Sequence, residues 1–228
     1  MILAPATQPQ PSVTTAQMMA AIRAMDPDAK KELDAFLLAG NAPIWVPQDG
    51  PQLMAYLSKA DIVFYGGAAG GGKTDLLLGL CLTSQEHSII FRREAVQLTG
   101  IEERMTKILG TRKGYNSQDG VWRLPEGKVM ELGSVKEPGD WIKYQGRPHD
   151  AKLFDEICHF TESQFRTLIG WLRTDKPEIR QRVVAAGNPP TTAEGEWVKR
   201  FWAAWLDPNH PNPAKPGELR WYVSDEKG

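Results

Sequence analysis

Apolar positions follow two rhythms along this chain. In "TTAQMMAAIRAM" and "DPDAKKELDAFLLAG" they recur at intervals of three and four, which predicts two short helices. The second has Asp26 as N-cap, Pro27 at the first helical position and Gly40 beyond its end. From residue 62 onward the apolar residues gather instead into short unbroken runs: "IVFY", "SIIF", "AKLF" and "RVVAA". Runs of this length with no polar alternation predict strands buried on both faces. Helices are predicted between them, from Thr74 to about Leu82, over "VQLTGIEERMTKIL", and after a capping box formed by Thr161 and Gln164. "VWRL" and "KVMEL", flanking "PEG", predict a hairpin. Strands that alternate with helices in this way predict an α/β fold with a mostly parallel sheet.

Past residue 190, "GEWVKRFWAAWL" predicts a helix on which Trp197, Phe201 and Trp205 form one stripe. Spaced four apart on an amphipathic helix, they are read as core packing in preference to a platform for stacked bases. A Pro-rich stretch then leads into "LRWYV", a predicted last strand, and the first dozen residues are too rich in Pro and Gln to order. The chain divides on this reading into an extension (1–42), a core (43–194) and a helix-plus-strand addition (195–228).

Composition narrows the class without naming it. Of 228 residues 41% are hydrophobic and 24% charged, an ordinary globular balance, and the net charge of -1 excludes a general polycation. A local basic stripe remains compatible with nucleic acid. The two cysteines, Cys81 and Cys158, lie in apolar runs and are read as free thiols in a reducing compartment. No apolar stretch is long enough for a membrane helix, and the N-terminus lacks a signal-peptide pattern, so a cytosolic protein is expected.

The chemistry concentrates in "GGAAGGGKT". Gly67, Ala68, Ala69, Gly70, Gly71, Gly72, Lys73 and Thr74 match G-x-x-x-x-G-K-[ST], between a predicted strand and a predicted helix. Backbone N–H groups can converge on phosphate oxygens only where bulky side chains are missing, and the helix N-terminus favours the anion. Lys73 then reaches the terminal phosphates and the Thr74 hydroxyl takes a Mg²⁺ position. "KLFDE" supplies Asp155 to hold the metal shell and Glu156 as a general base on water. In "AAGNPP", Asn188 follows a strand at the end where α/β folds bind ligands. It is read as a contact to the γ-phosphate or the attacking water, although Gly-Asn-Pro-Pro is also good turn chemistry. His159 and Cys158 are too few for a zinc site and are read as packing or incidental. A water-activating Glu and the lack of N-K-x-D favour ATP hydrolysis over a small-molecule kinase or a GTPase.

Together these segments resemble the ATPase domain of tailed-phage large terminases, the motors that drive DNA into procapsids. The matching stretches are "WVPQDGPQLMAYLSKAD", "GGAAGGGKT", "IIFRRE", "YQGRPHDAKLFDE", "AAGNPP" and "GEWVKRFW", spread over roughly residues 43 to 224. The resemblance implies a RecA-like P-loop fold of the additional-strand type, with ATP and Mg²⁺ as cofactors. It implies Gln52 against the adenine, Asp155 as the metal-binding and Glu156 as the catalytic carboxylate. Ala186, Gly187 and Asn188 correspond to the motif that couples hydrolysis to movement. An arginine from a neighbouring subunit completes such a site, with Arg147 the candidate and Arg92 and Arg93 the alternatives. The implied partners are double-stranded DNA, a homo-oligomeric ring on the phage portal and a small terminase subunit, in the host cytoplasm. Full-length relatives also carry a nuclease domain rich in clustered acidic residues. No such cluster occurs up to Gly228, so DNA cleavage is not expected of this chain. Arg92, Arg93, Arg104, Lys107, Arg112 and Lys113 could grip DNA phosphates or equally form a solvated helix face. Another nucleic-acid ATPase, such as a helicase, and a nucleotide-binding assembly module without turnover are the alternative readings.

Overall fold

The computed structural model describes residues 24–36, 43–68 and 70–222, and the chain divides into two units, Met1–Pro43 and Ile44–Gly228. In the first unit, α1 (Pro27–Phe36) begins as its sequence predicts: Asp26 Oδ1 accepts from the N–H groups of Asp28 and Ala29, both at 3.0 Å. The helix predicted before it falls almost wholly outside the described residues, as do Gly40 and the Pro/Gln-rich start.

The second unit follows in chain order α2 (Pro51–Leu57), β1 (Ile62–Gly66), α3 (Lys73–Thr83), β2 (His87–Arg92) and α4 (Leu98–Leu109). Next come β3 (Tyr115–Asn116), β4 (Val121–Arg123), β5 (Val129–Ser134), β6 (Ala151–Asp155), α5 (Glu162–Ile169) and β7 (Arg182–Gly187). Two short helices, α6 (Trp197–Phe201) and α7 (Ala203–Leu206), complete it. The strands form one seven-stranded sheet in the order β1-β7-β6-β2-β5-β4-β3. The first five run parallel, and β4 and β3 are added antiparallel through the predicted β4–β5 hairpin.

The unbroken apolar runs follow from burial on both faces. Along β2, Ile89 and Phe91 point to one side and Ile90 to the other; Phe154 and Leu153 divide the same way in β6. One face packs on the leucines of α3 with Ile101 and Met105 of α4. The other packs on Phe165 and Leu168 of α5 and on Trp197 and Val198 of α6. Phe165 is the hub of that second core, in ring contact with Phe154, Trp197, Phe201 and Trp202. The predicted capping box is present: Gln164 N donates to Thr161 Oγ1 at 3.2 Å and Thr161 N to Gln164 Oε1 at 3.1 Å.

Two expectations fail. "LRWYV" forms no strand over Leu219–Tyr222; Trp221 is 93% exposed, so one of the two faces a buried strand needs has nothing to pack on. The single helix expected after residue 190 is broken at Trp202, whose φ of -111° and ψ of 34° leave the helical region. The break lets Trp202 stack on Phe64 of β1 at 4.9 Å. The Trp197 stripe is core packing as expected, with Trp197 3% exposed. Among the described residues no helix is long and apolar enough to cross a membrane.

Lys152 is a polar exception inside β6, fully buried, with its Nζ donating to the Leu168 carbonyl at 2.5 Å. Burial pushes its pKa down to about 8. A cation with a lowered folded pKa destabilises fully below that value. Stability then rises through the window up to the unfolded value of about 10.4, where only the unfolded chain holds the proton. Lys152→Met is therefore expected to be more stable than the parent at pH 7. Denaturant titrations at several pH values should show this advantage shrink between pH 8 and 10.4, by at most about 1.4 kcal/mol per pH unit.

Candidate active site

The parallel register brings the C-terminal ends of four strands side by side. Gly66 of β1 pairs with Gly187 of β7, Ala186 of β7 with Asp155 of β6, and Phe91 beside Arg92 of β2 with Phe154 of β6. The glycine loop leaves β1, Asn188 follows β7, the Asp155–Glu156 pair ends β6 and Arg92 ends β2. Residues scattered over more than a hundred positions thus meet at one sheet edge, where open α/β sheets bind ligands.

Gly67, Gly70 and Gly72 all have positive φ, at 145°, 82° and 67°, which residues with a Cβ rarely adopt. At Gly72 a Cβ would also lie 2.5 Å from Gln52 Nε2. Ala69 lies outside the described residues. The loop opens directly into α3, so the free N–H groups of the first turn of α3 are its floor. Lys73, 8% exposed, donates to the carbonyls of Gly67 at 2.9 Å and Ala68 at 2.7 Å. A pocket of about 490 Å³ is lined by Gly70 to Asp75, Gly100, Arg104, Glu156 and Asn188.

Thr74 Oγ1 donates to Asp155 Oδ2 at 3.1 Å, joining the loop to the end of β6. The same oxygen accepts from Arg92, Nε at 3.0 Å and NH2 at 2.6 Å. Burial pushes the Asp155 carboxyl above its ordinary range, opposed by the Arg92 guanidinium and the Thr74 hydroxyl. A pocket-lining hydroxyl bonded to a buried carboxylate fits a hard divalent cation such as Mg²⁺. The next residue, Glu156, has φ 57° and ψ 56°, a left-handed conformation that costs a non-glycine residue about 1–3 kcal/mol. It turns the chain so that Glu156, half-buried, lines the pocket. Asn188 lines it from the next strand, and among the described residues its buried Oδ1 has no hydrogen-bond partner. Cys158 donates from Sγ to the Asn188 carbonyl at 3.0 Å, and burial pushes this thiol up to about 11. That packs it as expected and gives it a part in holding Asn188. His159 is exposed.

Gln52, 3% exposed, does not face open space. Its Oε1 accepts from Gln48 N at 2.6 Å and its Nε2 donates to the Gly72 carbonyl at 2.8 Å, bracing the loop from behind. Gln52→Ala removes the partner of the Gln48 N–H and one of two hydrogen bonds to the Gly72 carbonyl, which keeps its bond from Leu76 N at 2.9 Å. The loop loses its brace at about 1 kcal/mol per bond. Binding of ATP and of inorganic tripolyphosphate is expected to weaken together in that variant. A loss confined to ATP would assign Gln52 to the adenine instead.

The arginines separate clearly. Arg92 is committed to Asp155, and Arg93 to Gln164 Oε1 at 2.8 Å and Glu194 Oε1 at 3.3 Å, all within this chain. Arg147, 54% exposed, lies before β6, at the opposite end of the strands, and donates to Glu131 Oε2 at 2.9 Å. It is not among the residues lining the pocket in its own chain. Sequence reasoning missed the pocket role of Arg104, which holds Asp75 through two hydrogen bonds of 2.6 Å. The available signal was its spacing of four from Gly100 on the face of α4 that meets α3. Arg112 pairs with Glu102 and lies over the Tyr115 ring at 5.1 Å.

One further strand, β7, lies between the strand that enters the glycine loop and the strand that ends on the carboxylate pair. That order defines a RecA-like P-loop fold of the additional-strand type. No family model matches the chain, and no curated protein matches it. Among solved structures it is similar to the large terminase of a thermophilic bacteriophage, with 15% identity and TM-score 0.48. That match covers 63% of this chain and 40% of the other. A complex of the same phage protein with ADP gives 18% identity and TM-score 0.44 over 60% and 38%. The large terminase of bacteriophage HK97 gives 13% and 0.48 over 69% and 36%. The chain spans two fifths or less of the length of these structures.

Proposed function

We propose that the chain is an ATPase whose hydrolysis moves double-stranded DNA into a viral procapsid. The observation that carries the hydrolytic part is the convergence of Thr74, Glu156 and Asn188 on the pocket beside the glycine loop, with the buried Asp155 bonded to Thr74. The order of motifs along the sequence, and its resemblance to phage packaging motors, supports the DNA-moving part.

In this reading the loop N–H groups and Lys73 bind the triphosphate, with Lys73 exchanging its loop carbonyls for phosphate oxygens. Mg²⁺, when bound, neutralises developing charge on the phosphates. Thr74 and Asp155 hold it, Glu156 takes a proton from the attacking water, and the Asn188 amide senses the terminal phosphate. Arg147 reaches the pocket of the next subunit in a ring. Rotation of Asn188 on phosphate loss would be passed to the chain after β7.

The test uses the full chain with ATP, Mg²⁺ and linear duplex DNA. Phosphate release stimulated by duplex, with displacement of a third strand from a triplex, is the expected result. Separation of a forked duplex would indicate a helicase. ATP binding without phosphate release, at high protein concentration and with DNA, would leave only an assembly module.

A further inference from the structure

A second cluster lies at the other end of the same strands. His87 is the first residue of β2, Glu131 lies in β5 on one side of it, and His149 precedes β6 on the other. One donor atom from each lies within 4.8 Å of the other two. His87 Nε2 is 2.9 Å and His149 Nε2 3.4 Å from Glu131 Oε1. Around a tetrahedral ion with bonds of about 2.0–2.1 Å, neighbouring donors sit about 3.3–3.4 Å apart, so little movement is needed.

Two further observations separate this cluster from an ordinary ion-pair network. His149 is fully buried, and neither of its ring nitrogens makes a hydrogen bond among the described residues. Nε2 has only its 3.4 Å approach to Glu131 and Nδ1 has no partner, a costly arrangement in which a metal bond would satisfy Nε2. The scaffold is also fixed before any ion arrives. Asp150 N donates to the His87 carbonyl at 2.9 Å, Arg173 N to the His149 carbonyl at 2.9 Å, and β2 and β5 are paired over their whole length.

We propose that His87, Glu131 and His149 form a zinc site that ties three neighbouring strand positions together at the sheet end opposite the glycine loop. Two imidazoles with one carboxylate suit Zn²⁺ and its analogue Co²⁺ and not the oxygen-seeking Mg²⁺ or Ca²⁺. The His87 side chain is 37% exposed and gives the ion its way in, with water in the fourth position. Arg147, on the other carboxylate oxygen, holds Glu131 in a one-oxygen pose. Ligation needs an ionised carboxylate and neutral imidazoles, so metal binding should weaken in acid.

The test needs no nucleotide, so it stands or falls apart from the ATPase reading. Full-length protein stripped with a chelator is titrated with Co²⁺ and then Zn²⁺. The expected result is one equivalent of Co²⁺ with tetrahedral visible bands, displaced by Zn²⁺, and a melting midpoint that rises with Zn²⁺. His87→Gln and Glu131→Gln should each weaken Co²⁺ binding by about tenfold or more. His87→Gln decides the matter, because its partly exposed ring can be changed without opening the core; circular dichroism checks that it remains folded. Wild-type protein without tetrahedral Co²⁺ bands, or folded His87→Gln that binds Co²⁺ as tightly as wild type, would overturn the site.

Discussion

Glu156→Gln is expected to lower ATP hydrolysis by about 10²–10⁴-fold while ATP binding stays within a few-fold of the parent. The amide keeps the size and shape of the carboxylate but cannot take a proton from water. Binding rests on other groups, the loop backbone, Lys73 and Thr74, none of which bonds to Glu156 in the structure. A companion variant separates chemistry from architecture. Glu156 holds a left-handed backbone that glycine adopts freely, so Glu156→Gly relieves strain of about 1–3 kcal/mol, offset by about 0.5–1 kcal/mol of added chain entropy. It should therefore melt no lower than the parent and yet be as inactive as Glu156→Gln. Phosphate-release kinetics, equilibrium binding of a nucleotide analogue and thermal melts check the pair. Near-normal turnover in Glu156→Gln would remove the residue from its proposed role.

The backbone strain at Glu156 marks where sequence reasoning reaches its limit. The four buried strands, the helices packed on them and the glycine loop were legible because their signals are local: unbroken apolar runs, a capping box, glycines at fixed spacing. The two-residue strand β3 was not, since Tyr115 and Asn116 owe their strand conformation to pairing with Trp122 and Val121. "LRWYV" has strand composition, but composition does not supply a neighbour, and Trp221 has none to bury it. The same holds within the site. Lys73, Thr74, Asp155 and Glu156 could be placed from motif spacing alone. The commitment of Arg92 to Asp155 depends on β2 lying next to β6, and the Gln52 brace depends on α2 lying behind the loop. Both are facts of strand order and packing. The His87–Glu131–His149 cluster is more distant still, because its residues have no metal-binding spacing in the sequence and meet only through the sheet.

Strand order also bears on the arginine proposed to come from a neighbouring subunit. Arg147→Ala is expected to lower hydrolysis by about 10³-fold or more, since such a residue neutralises charge that develops only in the transition state. Arg147 is held by Glu131, and the question is whether that bond would prevent it from serving a neighbour. An ion pair with one partner more than half exposed contributes about 0–1 kcal/mol, whereas a 10³-fold rate effect corresponds to about 4 kcal/mol. Release is the smaller effect, so the pair can serve as a resting position. Mixing Arg147→Ala with Glu156→Gln, each inactive alone, provides the decisive measurement. In a random equal mixture of head-to-tail rings, about a quarter of the interfaces join an intact Glu156 to an intact Arg147. Phosphate release should reappear on mixing, with a fraction of parental activity. Arg147→Ala that is active by itself would rule the residue out. A mixture that stays inactive, while both variants still form rings, would confine the residue's effect to its own chain.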